Sequence, residues 1–258
     1  MFSRRLELTR PGLFVTGTDT EVGKTVVACS VAWHLRRAGR VGVSKPIATG
    51  CRRDREGLVS EDAEALAHFS DCRQPLERIN PVRYRAPVAP AVAAAQTGQP
   101  VDFDAVEQSL GLIDRASDVV VVEGVGGLLV PLDRQDRVLT VLDLIQALGY
   151  PVLVVSRAGL GTLNHTAMTV RLLKEAGCRV AGLVINGYQA DSSGRLDARR
   201  DLAMATNPRW MELMTATEVR ATVPQLDTER VDPAQGRIAG PVLDAMGQQS
   251  WLDLADVP

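Results

Sequence analysis

Short apolar runs alternate along the chain with longer segments whose apolar residues recur every three or four positions. The apolar runs predict strands, and the helical spacing predicts amphipathic helices between them. The predicted strands cover residues 13–16, 41–46, 118–122, 151–156 and 180–186. The predicted helices cover residues 23–38, 103–113, 138–148 and 163–176. Because Val119–Val122 is apolar on both faces, the alternation favours a doubly wound, mainly parallel α/β sheet with helices on both faces.

Glycines and two unusual stretches refine this pattern. Gly39, Gly149 and Gly177 follow predicted helices, where glycine closes a helix in the left-handed conformation. Residues 84–100 are rich in proline and alanine, which is compatible with a linker but favours an ordered loop with a short helix. Residues 189–200 are polar and charged, and we expect an exposed loop that enters a helix.

Size and composition bound the architecture and the partners. The 258 residues favour one domain over 1–258, with an N-terminal extension at 1–12 and a C-terminal tail at 227–258 whose role stays open. An apolar content of 45% and a net charge of −2 are typical of a globular protein. The near-neutral charge gives no reason to expect a nucleic acid or an anionic membrane as partner. An aromatic content of 4% argues against a base-stacking surface.

Cysteines and histidines show no metal-binding spacing. The four cysteines form no C-x-x-C pair, and the three histidines lie far apart, so no zinc site is predicted. We expect ordinary core or surface thiols in a cytoplasmic protein. No apolar run approaches the ~20 residues that span a bilayer, and the first twelve residues lack the apolar centre of a signal peptide.

The stretch FVTGTDTEVGKTVVA, from Phe14 to Ala28, joins a predicted strand to a predicted helix. Its glycines permit backbone N–H groups to face a phosphate, and the helix adds its positive N-terminus. Lys24 supplies a charge for the β- and γ-phosphates, and Thr25 a hydroxyl for Mg²⁺. Five residues separate Gly17 from Gly23, whereas the standard phosphate loop has four. The alternative is a tight turn whose lysine faces solvent.

Three further charged residues fit the same site. Glu123 directly follows the run of valines, at the carboxyl edge of the sheet where ligands gather, and is a candidate Mg²⁺ ligand or a turn-stabilising residue. Asp62 could join it or cap a helix. Lys45 ends the second predicted strand at the same edge, where a solvated strand end is slightly favoured from the residues alone. Together with Lys24 it would give a cationic pocket suited to phosphoryl transfer.

Several motifs occur in an order that resembles the dethiobiotin synthetase family. They are VTGTDTEVGKT, KPIATG, VEGVGGLLVP, GLGTLNHT and VIN, between residues 13 and 187, with a fainter match, TVPQL, at 222–226. The five-residue loop spacing is the spacing of that family. The region from Gln189 to Thr222 is not recognisable as part of the family pattern, and the tail beyond Leu226 is longer than the resemblance leads us to expect.

The resemblance implies a P-loop NTPase fold and an ATP-dependent ring closure in biotin synthesis, with Mg²⁺ as cofactor. The substrates would be 7,8-diaminononanoate, CO₂ or bicarbonate, and ATP. A carbamate forms on one amine and attacks the γ-phosphate to give a carbamic–phosphoric anhydride. The second amine then closes the cyclic urea and releases phosphate. The family also implies a homodimer.

Carried over by position, the resemblance assigns roles to individual residues. Lys45 and Lys24 would be catalytic, and Thr25, Asp62 and Glu123 would bind Mg²⁺. The implied nucleotide-binding residues are Glu21, Val22, Gly23, Lys24, Thr25, Val26, Asp62, Glu123, Gly124, Val125, Gly126, Asn186, Gly187, Pro224, Gln225 and Leu226. The implied substrate-binding residues are Thr20 and Thr49 at the reacting end and Gly161, Thr162, Leu163 and Asn164 at the tail carboxylate, across a dimer interface. The family often has Ser at position 49.

Two other classes share parts of this pattern. Partitioning and site-positioning ATPases share the fold but carry an additional lysine near the start of the loop, and residues 17–22 contain none. A synthetase domain of an amidotransferase has a related loop, but a glutaminase domain with a nucleophilic cysteine should follow it. We expect neither class.

Overall fold

The computed structural model of the protein describes residues 5–55, 57–134, 137–189 and 201–256. The strands of these residues are β1 (Gly12–Gly17), β2 (Val41–Ser44), β3 (Ile47–Ala48), β4 (Arg52–Arg53), β5 (Leu58–Val59), β6 (Val82–Arg83), β7 (Val119–Gly127), β8 (Pro131–Arg134), β9 (Val138–Thr140), β10 (Val152–Arg157), β11 (Val180–Tyr188), β12 (Val219–Pro224), β13 (Val231–Asp232) and β14 (Arg237–Ile238). The helices are α1 (Lys24–Leu35), α2 (Glu61–Ser70), α3 (Leu76–Ile79), α4 (Pro90–Thr97), α5 (Phe103–Ala116), α6 (Val141–Leu148), α7 (Thr162–Glu175), α8 (Leu202–Thr215), α9 (Gly240–Met246) and α10 (Trp251–Leu254).

The main sheet has the order β12-β11-β10-β1-β7-β2 within the described residues, and all its pairs are parallel. From β1 the chain runs to β2 at one end of the sheet, whereas β10, β11 and β12 extend it in the other direction. The strand order therefore reverses beside β1 and β7, which is where a doubly wound sheet binds its ligands. The predicted fold is confirmed.

Two apolar layers cover the faces of this sheet. One contains Phe14 and Val122 from the strands, with the apolar sides of α5, α6 and α7. The other contains Val15 and Val121, with α1, α2 and α9. Neighbouring residues of each strand thus point into different layers, as the two-residue period of a strand requires.

The register of β2 and β7 brings two charged residues to one place. Val43 lies beside Val121 in the parallel pair. Both side chains belong to the layer that contains α1 and α2. Two residues further along each strand, on the same face, come Lys45 and Glu123. The strand period alone therefore aims a lysine and a glutamate at the start of α1.

The C-terminal tail packs against α1, the helix that follows the loop at residues 18–23, which we refer to as the glycine loop. Val242, Met246 and Trp251 are buried in the layer that contains α1. The Trp251 indole Nε1 donates to the carbonyl of Met246 over 2.8 Å. At the other end of the chain, Leu6 and Leu8 are buried in the opposite layer. The described parts of both terminal segments thus contribute to the core.

The helix predicted at 23–38 ends early, at Leu35. Arg37 and Ala38 instead donate to His34 and Leu35, so the last predicted turn is tightened into bonds between residues three apart. Gly39 does not close the helix. Its φ is +148°, and a Cβ there would lie 2.8 Å from Asp118 Oδ2.

The helix predicted at 138–148 begins only at Val141. Val138–Thr140 pairs as β9 with β8 in an antiparallel ribbon. Thr140 and Asp143 form a capping box that starts the helix. The apolar spacing alone does not show this start, because Val138 fits the helical pattern as well. Gly149 ends this helix in the left-handed conformation, as predicted.

The remaining expectations concern less regular parts. Residues 84–100 contain the short helix α4, so the ordered loop is confirmed. The loop expected at 189–200 lies, apart from residue 189, outside the described residues. All four cysteines are free. Within the described ranges, no helix combines the length and the apolar character that crossing a membrane requires.

Candidate active site

The loop between β1 and α1 requires glycine at position 23. Gly23 has a φ of +91°, a conformation that other residues adopt at a cost. A Cβ on Gly23 would lie 1.9 Å from Asn186 Nδ2. The same Nδ2 donates to the carbonyl of Val22 over 3.0 Å. Asn186, near the end of β11, therefore fixes the loop by a hydrogen bond to its main chain.

Lys24 begins α1 and folds over its own loop. Its Nζ donates to the main-chain oxygen of Asp19 over 2.8 Å, and the residue is buried. Burial, followed by the nearby ammonium of Lys45, lowers the pKa of Lys24 to about 8. The loop thus presents a cation whose charge an anionic ligand would stabilise.

Lys45 is the most strongly paired cation of the site. Its Nζ lies 2.7 Å from both Asp62 Oδ2 and Glu123 Oε1, and 3.1 Å from the carbonyl of Gly124. Burial lowers its pKa, but the two carboxylates outweigh burial and raise the pKa above its ordinary value. The residue is 3% exposed, so the solvated strand end is wrong.

Two carboxylates and a hydroxyl surround this ammonium. Thr25 Oγ1 lies 2.9 Å from both Asp62 Oδ1 and Glu123 Oε1. The ammonium of Lys45 is the main cause that lowers the pKa of Asp62. Burial is the main cause that raises the pKa of Glu123, and Lys45 opposes it. Asp62 is the second residue of α2, whose N-cap is Ser60, so the capping alternative for Asp62 is wrong.

The donor set fits Mg²⁺. Glu123 Oε2 is buried and has no hydrogen-bond partner among the described residues. A buried carboxylate oxygen without a partner is costly, and it could coordinate a hard cation together with Thr25 Oγ1 and Asp62. Within the described chain no group of three acidic, histidine or cysteine side chains converges, so water and phosphate oxygens would complete an octahedral shell.

A cavity of about 320 Å³ joins these groups, and we refer to it as the carboxyl-edge pocket. Its lining residues are Thr20, Glu21, Gly23, Lys24, Thr25, Lys45, Thr49, Asp62, Glu123, Val125 and Gly126. The structure therefore brings together the two lysines, the three candidate metal ligands and the two threonines predicted for the reacting end of the substrate. Val22 is buried and Val26 half-buried in the adjoining core.

The residues predicted to read the nucleotide base form a second group beside the loop. Asn186 and Gly187 precede Tyr188, the last residue of β11, and Gly187 has a φ of +81°. Pro224 ends β12, and the Gln225 N–H donates to the carbonyl of Tyr188 over 2.7 Å. Leu226 packs against the layer that contains α1. These two strand ends therefore lie side by side at the carboxyl edge.

The residues predicted for the tail carboxylate form a third group, at the start of α7. Gly161 is the N-cap, with a φ of +90°. Asn164 lines a separate cavity with Met168 of α7 and Met214 of α8. Residues 161–164 do not belong to the lining of the carboxyl-edge pocket within the described chain.

One ion pair beside the loop was missed from the sequence. Arg157, the last residue of β10, pairs with Asp19 Oδ2 over 2.5 Å. Asp19 Oδ1 accepts from the N–H of Thr20 over 2.8 Å. The rule that selected Glu123, a charged residue at the carboxyl end of an apolar strand, would also have selected Arg157.

Comparisons with known proteins identify the family of this chain. The model of the AAA domain family AAA_26 matches residues 11–230. An ATP-dependent dethiobiotin synthetase BioD from Anaeromyxobacter sp. strain K is 43% identical over 233 residues, which cover 89% of this chain and 97% of that protein. The protein of the same name from Anaeromyxobacter dehalogenans strain 2CP-1 is 48% identical over 192 residues, 72% and 82% of the two chains.

Among solved structures, the McdA(D38A)–ATP complex of Cyanothece superposes with a TM-score of 0.56 over 96% of each chain, at 12% identity. A likeness at this identity shows a shared fold and nothing about activity. The sequence relatives are much closer, at 43% and 48% identity, and their matches cover 89% and 72% of this chain. The chain therefore belongs to the family of ATP-dependent dethiobiotin synthetases.

Proposed function

We propose that the protein closes the ureido ring of dethiobiotin in an ATP-dependent reaction, as the name of its relatives indicates. The substrates would be 7,8-diaminononanoate, CO₂ or bicarbonate, and ATP. One amine adds CO₂ to give a carbamate and loses a proton. A carbamate oxygen attacks the γ-phosphate and releases ADP. The second amine attacks the carbonyl of the mixed anhydride and loses a proton, and the C–O bond breaks to release phosphate.

The observation that carries this proposal is the arrangement of charges in the carboxyl-edge pocket. Lys24 and Lys45 are buried cations beside a glycine loop, and Asp62 and Glu123 are carboxylates beside Thr25. A carbamate and a γ-phosphate are both anionic and repel each other. Buried cations that are already in place offset that repulsion in the transition state.

Each charged residue has a role in this reaction. Lys24 would bind the β- and γ-phosphates and give up its bond to the Asp19 carbonyl. Lys45 would contact the carbamate and the transferred phosphoryl group. Thr25, Asp62 and Glu123 would hold Mg²⁺, which neutralises charge on the phosphates when it is bound. The two amines sit on adjacent carbons, so ring closure is intramolecular and positioning supplies much of the rate.

The nucleotide base would lie between the ends of β11 and β12. Asn186 has a side-chain amide that can distinguish donor and acceptor positions on a purine. Gly187 and Pro224–Leu226 would cover the ring. The adjacency of these two strand ends to the glycine loop supports this position.

We further propose a homodimer in which Gly161–Asn164 of one subunit binds the tail carboxylate of substrate held by the other. Several large apolar side chains around α7 and α8 are exposed, which supports an interface there. They are Leu160, Met168, Leu202, Trp210, Leu213 and Met214. A strictly monomeric and fully active species in analytical ultracentrifugation would contradict the dimer.

The proposal also includes the domain organisation and the cellular location of the protein. We treat the chain as one domain, because the C-terminal tail shares an apolar layer with α1 and α2. We also propose a cytoplasmic location, with which the four free thiols are compatible.

The experiment that tests the proposed function measures phosphate release from ATP with and without each co-substrate. We expect turnover only when 7,8-diaminononanoate and bicarbonate are both present, with one phosphate released per ring closed. ATP turnover that does not change when the diamine is added would contradict the ligase function. Omission of the two co-substrates in turn provides the controls.

A further inference from the structure

Asn80 is a buried residue outside the carboxyl-edge pocket that contacts the main chain of Lys45. It directly follows α3 and is 1% exposed. Its side chain does not belong to the pocket lining within the described chain, so it is not placed to touch ATP or the diamine. Its contacts nevertheless lead to the reacting end of the site.

The side-chain amide of Asn80 joins two segments of backbone. Its Nδ2 donates to the carbonyl of Lys45 over 2.6 Å and to the carbonyl of Val82 over 3.1 Å. The N–H of Lys45 donates to the carbonyl of Ile79 over 2.8 Å. Two consecutive residues, Ile79 and Asn80, therefore bind both main-chain polar groups of Lys45.

This clamp replaces a sheet ladder that has just ended. β2 stops at Ser44, so Lys45 lies beyond the hydrogen bonds between β2 and β7. Pro46 follows and has no N–H to donate. Ile79 and Asn80 thus hold the residue that joins the end of β2 to Pro46, whose carbonyl accepts from the N–H of Val82 over 3.3 Å.

The amide is retained although it is not fully satisfied. Asn80 Oδ1 is buried and has no hydrogen-bond partner among the described residues. An unpaired buried oxygen costs stability, so the donor function of Nδ2 must offset that cost. Only a side chain with two N–H groups on one nitrogen can donate to both carbonyls from this place.

We propose that Asn80 is a positioning residue that fixes the backbone of Lys45 and so directs its ammonium into the reacting site. The inference rests on the proposed function, in which Lys45 is catalytic. Lys45 has a long side chain, and its Nζ can reach a defined point only if its Cα is fixed. Catalytic groups need placement to within about 0.5 Å, and errors of about 1 Å can cost up to 100-fold in rate.

The test compares Asn80→Asp and Asn80→Ala with Tyr84→Phe as a matched control. Asn80→Asp keeps the shape but loses the paired donors, and Asn80→Ala removes the side chain. Tyr84→Phe removes another buried donor of the same region, the hydroxyl that donates to the Gln99 carbonyl over 2.9 Å. We expect kcat to fall about tenfold or more in both Asn80 variants, with KM for ATP within about twofold. Tyr84→Phe should keep its kcat even where its thermal unfolding is shifted.

A double-mutant cycle separates positioning from a general structural effect. In a Lys45→Gln background, Asn80→Asp should lower the single-turnover rate by less than about threefold, because the group that it positions is gone. Losses that multiply would show that Asn80 acts independently of Lys45 and would overturn the proposal. An unchanged kcat in folded Asn80 variants, or failure of both variants to fold, would overturn it as well.

The outcomes also distinguish this inference from the proposed function. Near-normal turnover in Lys45→Gln alone would remove Lys45 from the catalytic set and would count against the proposed function. A large loss in Lys45→Gln, combined with none in the Asn80 variants, would count against the inference alone.

Discussion

The same two strands, β2 and β7, have an ion pair at each end. At the amino edge Arg40 and Asp118, which precede the strands, pair over 3.0 Å with side chains that are 69% and 44% exposed. At the carboxyl edge Lys45 and Glu123 pair over 2.7 Å with side chains that are 4% and 1% exposed. The chemistry of the two pairs is alike, and their environment differs.

The difference in burial indicates which ion pair can take part in catalysis. An exposed pair is screened by water and contributes little, whereas a buried pair costs desolvation and is kept where charge is needed. Cavity size does not distinguish the edges, because the amino edge has a larger cavity, of about 500 Å³, lined in part by Arg40 and Val41. Burial of opposite charges beside the glycine loop distinguishes the site.

The largest expected effect comes from Lys45→Gln. We expect the substitution to lower turnover by about 100-fold or more, because it removes a preorganised cation from the reacting site. Circular dichroism should show an intact fold, and phosphate release measures the loss. Arg40→Gln removes a cation from the opposite edge and should leave turnover unchanged. Equal losses in both variants would abolish the distinction between the edges.

Glu123→Gln tests the metal-binding half of the pocket. We expect the Mg²⁺ concentration for half-maximal turnover to rise about tenfold or more, since even residues that only support a metal ligand typically change affinity 10- to 100-fold. Titration of turnover with Mg²⁺ provides the measurement. Asp118→Asn, the matched loss of a carboxylate at the amino edge, should show the wild-type titration. An unchanged curve for Glu123→Gln would exclude this residue as a ligand.

Two glycines sharpen the comparison further. Gly23→Ala and Gly177→Ala both force alanine into a left-handed backbone, with φ of +91° and +75°, which costs about 1–2 kcal/mol of stability. Only Gly23 lies against another group, Asn186, and a Cβ on Gly177 would meet nothing within 4 Å. We expect KM for ATP to rise severalfold in Gly23→Ala and to stay constant in Gly177→Ala. A raised KM in Gly177→Ala would indicate an effect of backbone strain alone.

The smallest effect is expected at the exposed pair itself. The Arg40 guanidinium lowers the pKa of Asp118 to about 2. A carboxylate with a lowered pKa contributes stability above its unfolded pKa, and the contribution disappears as the pH falls from about 4 towards about 2. Thermal unfolding of Asp118→Asn should therefore differ slightly from wild type at neutral pH and converge with it near pH 2. A difference that grows on acidification would show the wrong sign.

Much of this architecture could be predicted from local patterns. Strand runs such as Val119–Val122 and the glycine loop carry their signals within a few residues. Glu123 could be placed because the carboxyl ends of parallel strands share an edge. The apolar pattern predicts a helix over Val138–Thr140, because a strand of three residues is too short to be distinguished from a helical turn.

The environment of the site could not be predicted in the same way. Whether Lys45 is solvated depends on α2, which places Asp62 beside its ammonium. No residue near Lys45 in the sequence predicts that packing. Asn80 gives no local signal, because its partners are the carbonyl groups of Lys45 and Val82. Long-range contacts of this kind require the three-dimensional structure.

The most direct test of the central claim is a crystal structure with Mg²⁺ and a non-hydrolysable ATP analogue. We expect the triphosphate in the carboxyl-edge pocket, with its terminal phosphate near Lys24 and Lys45 and with Mg²⁺ on the oxygens of Thr25, Asp62 and Glu123. A triphosphate bound elsewhere, with Lys45 and Glu123 turned away from it, would contradict the account.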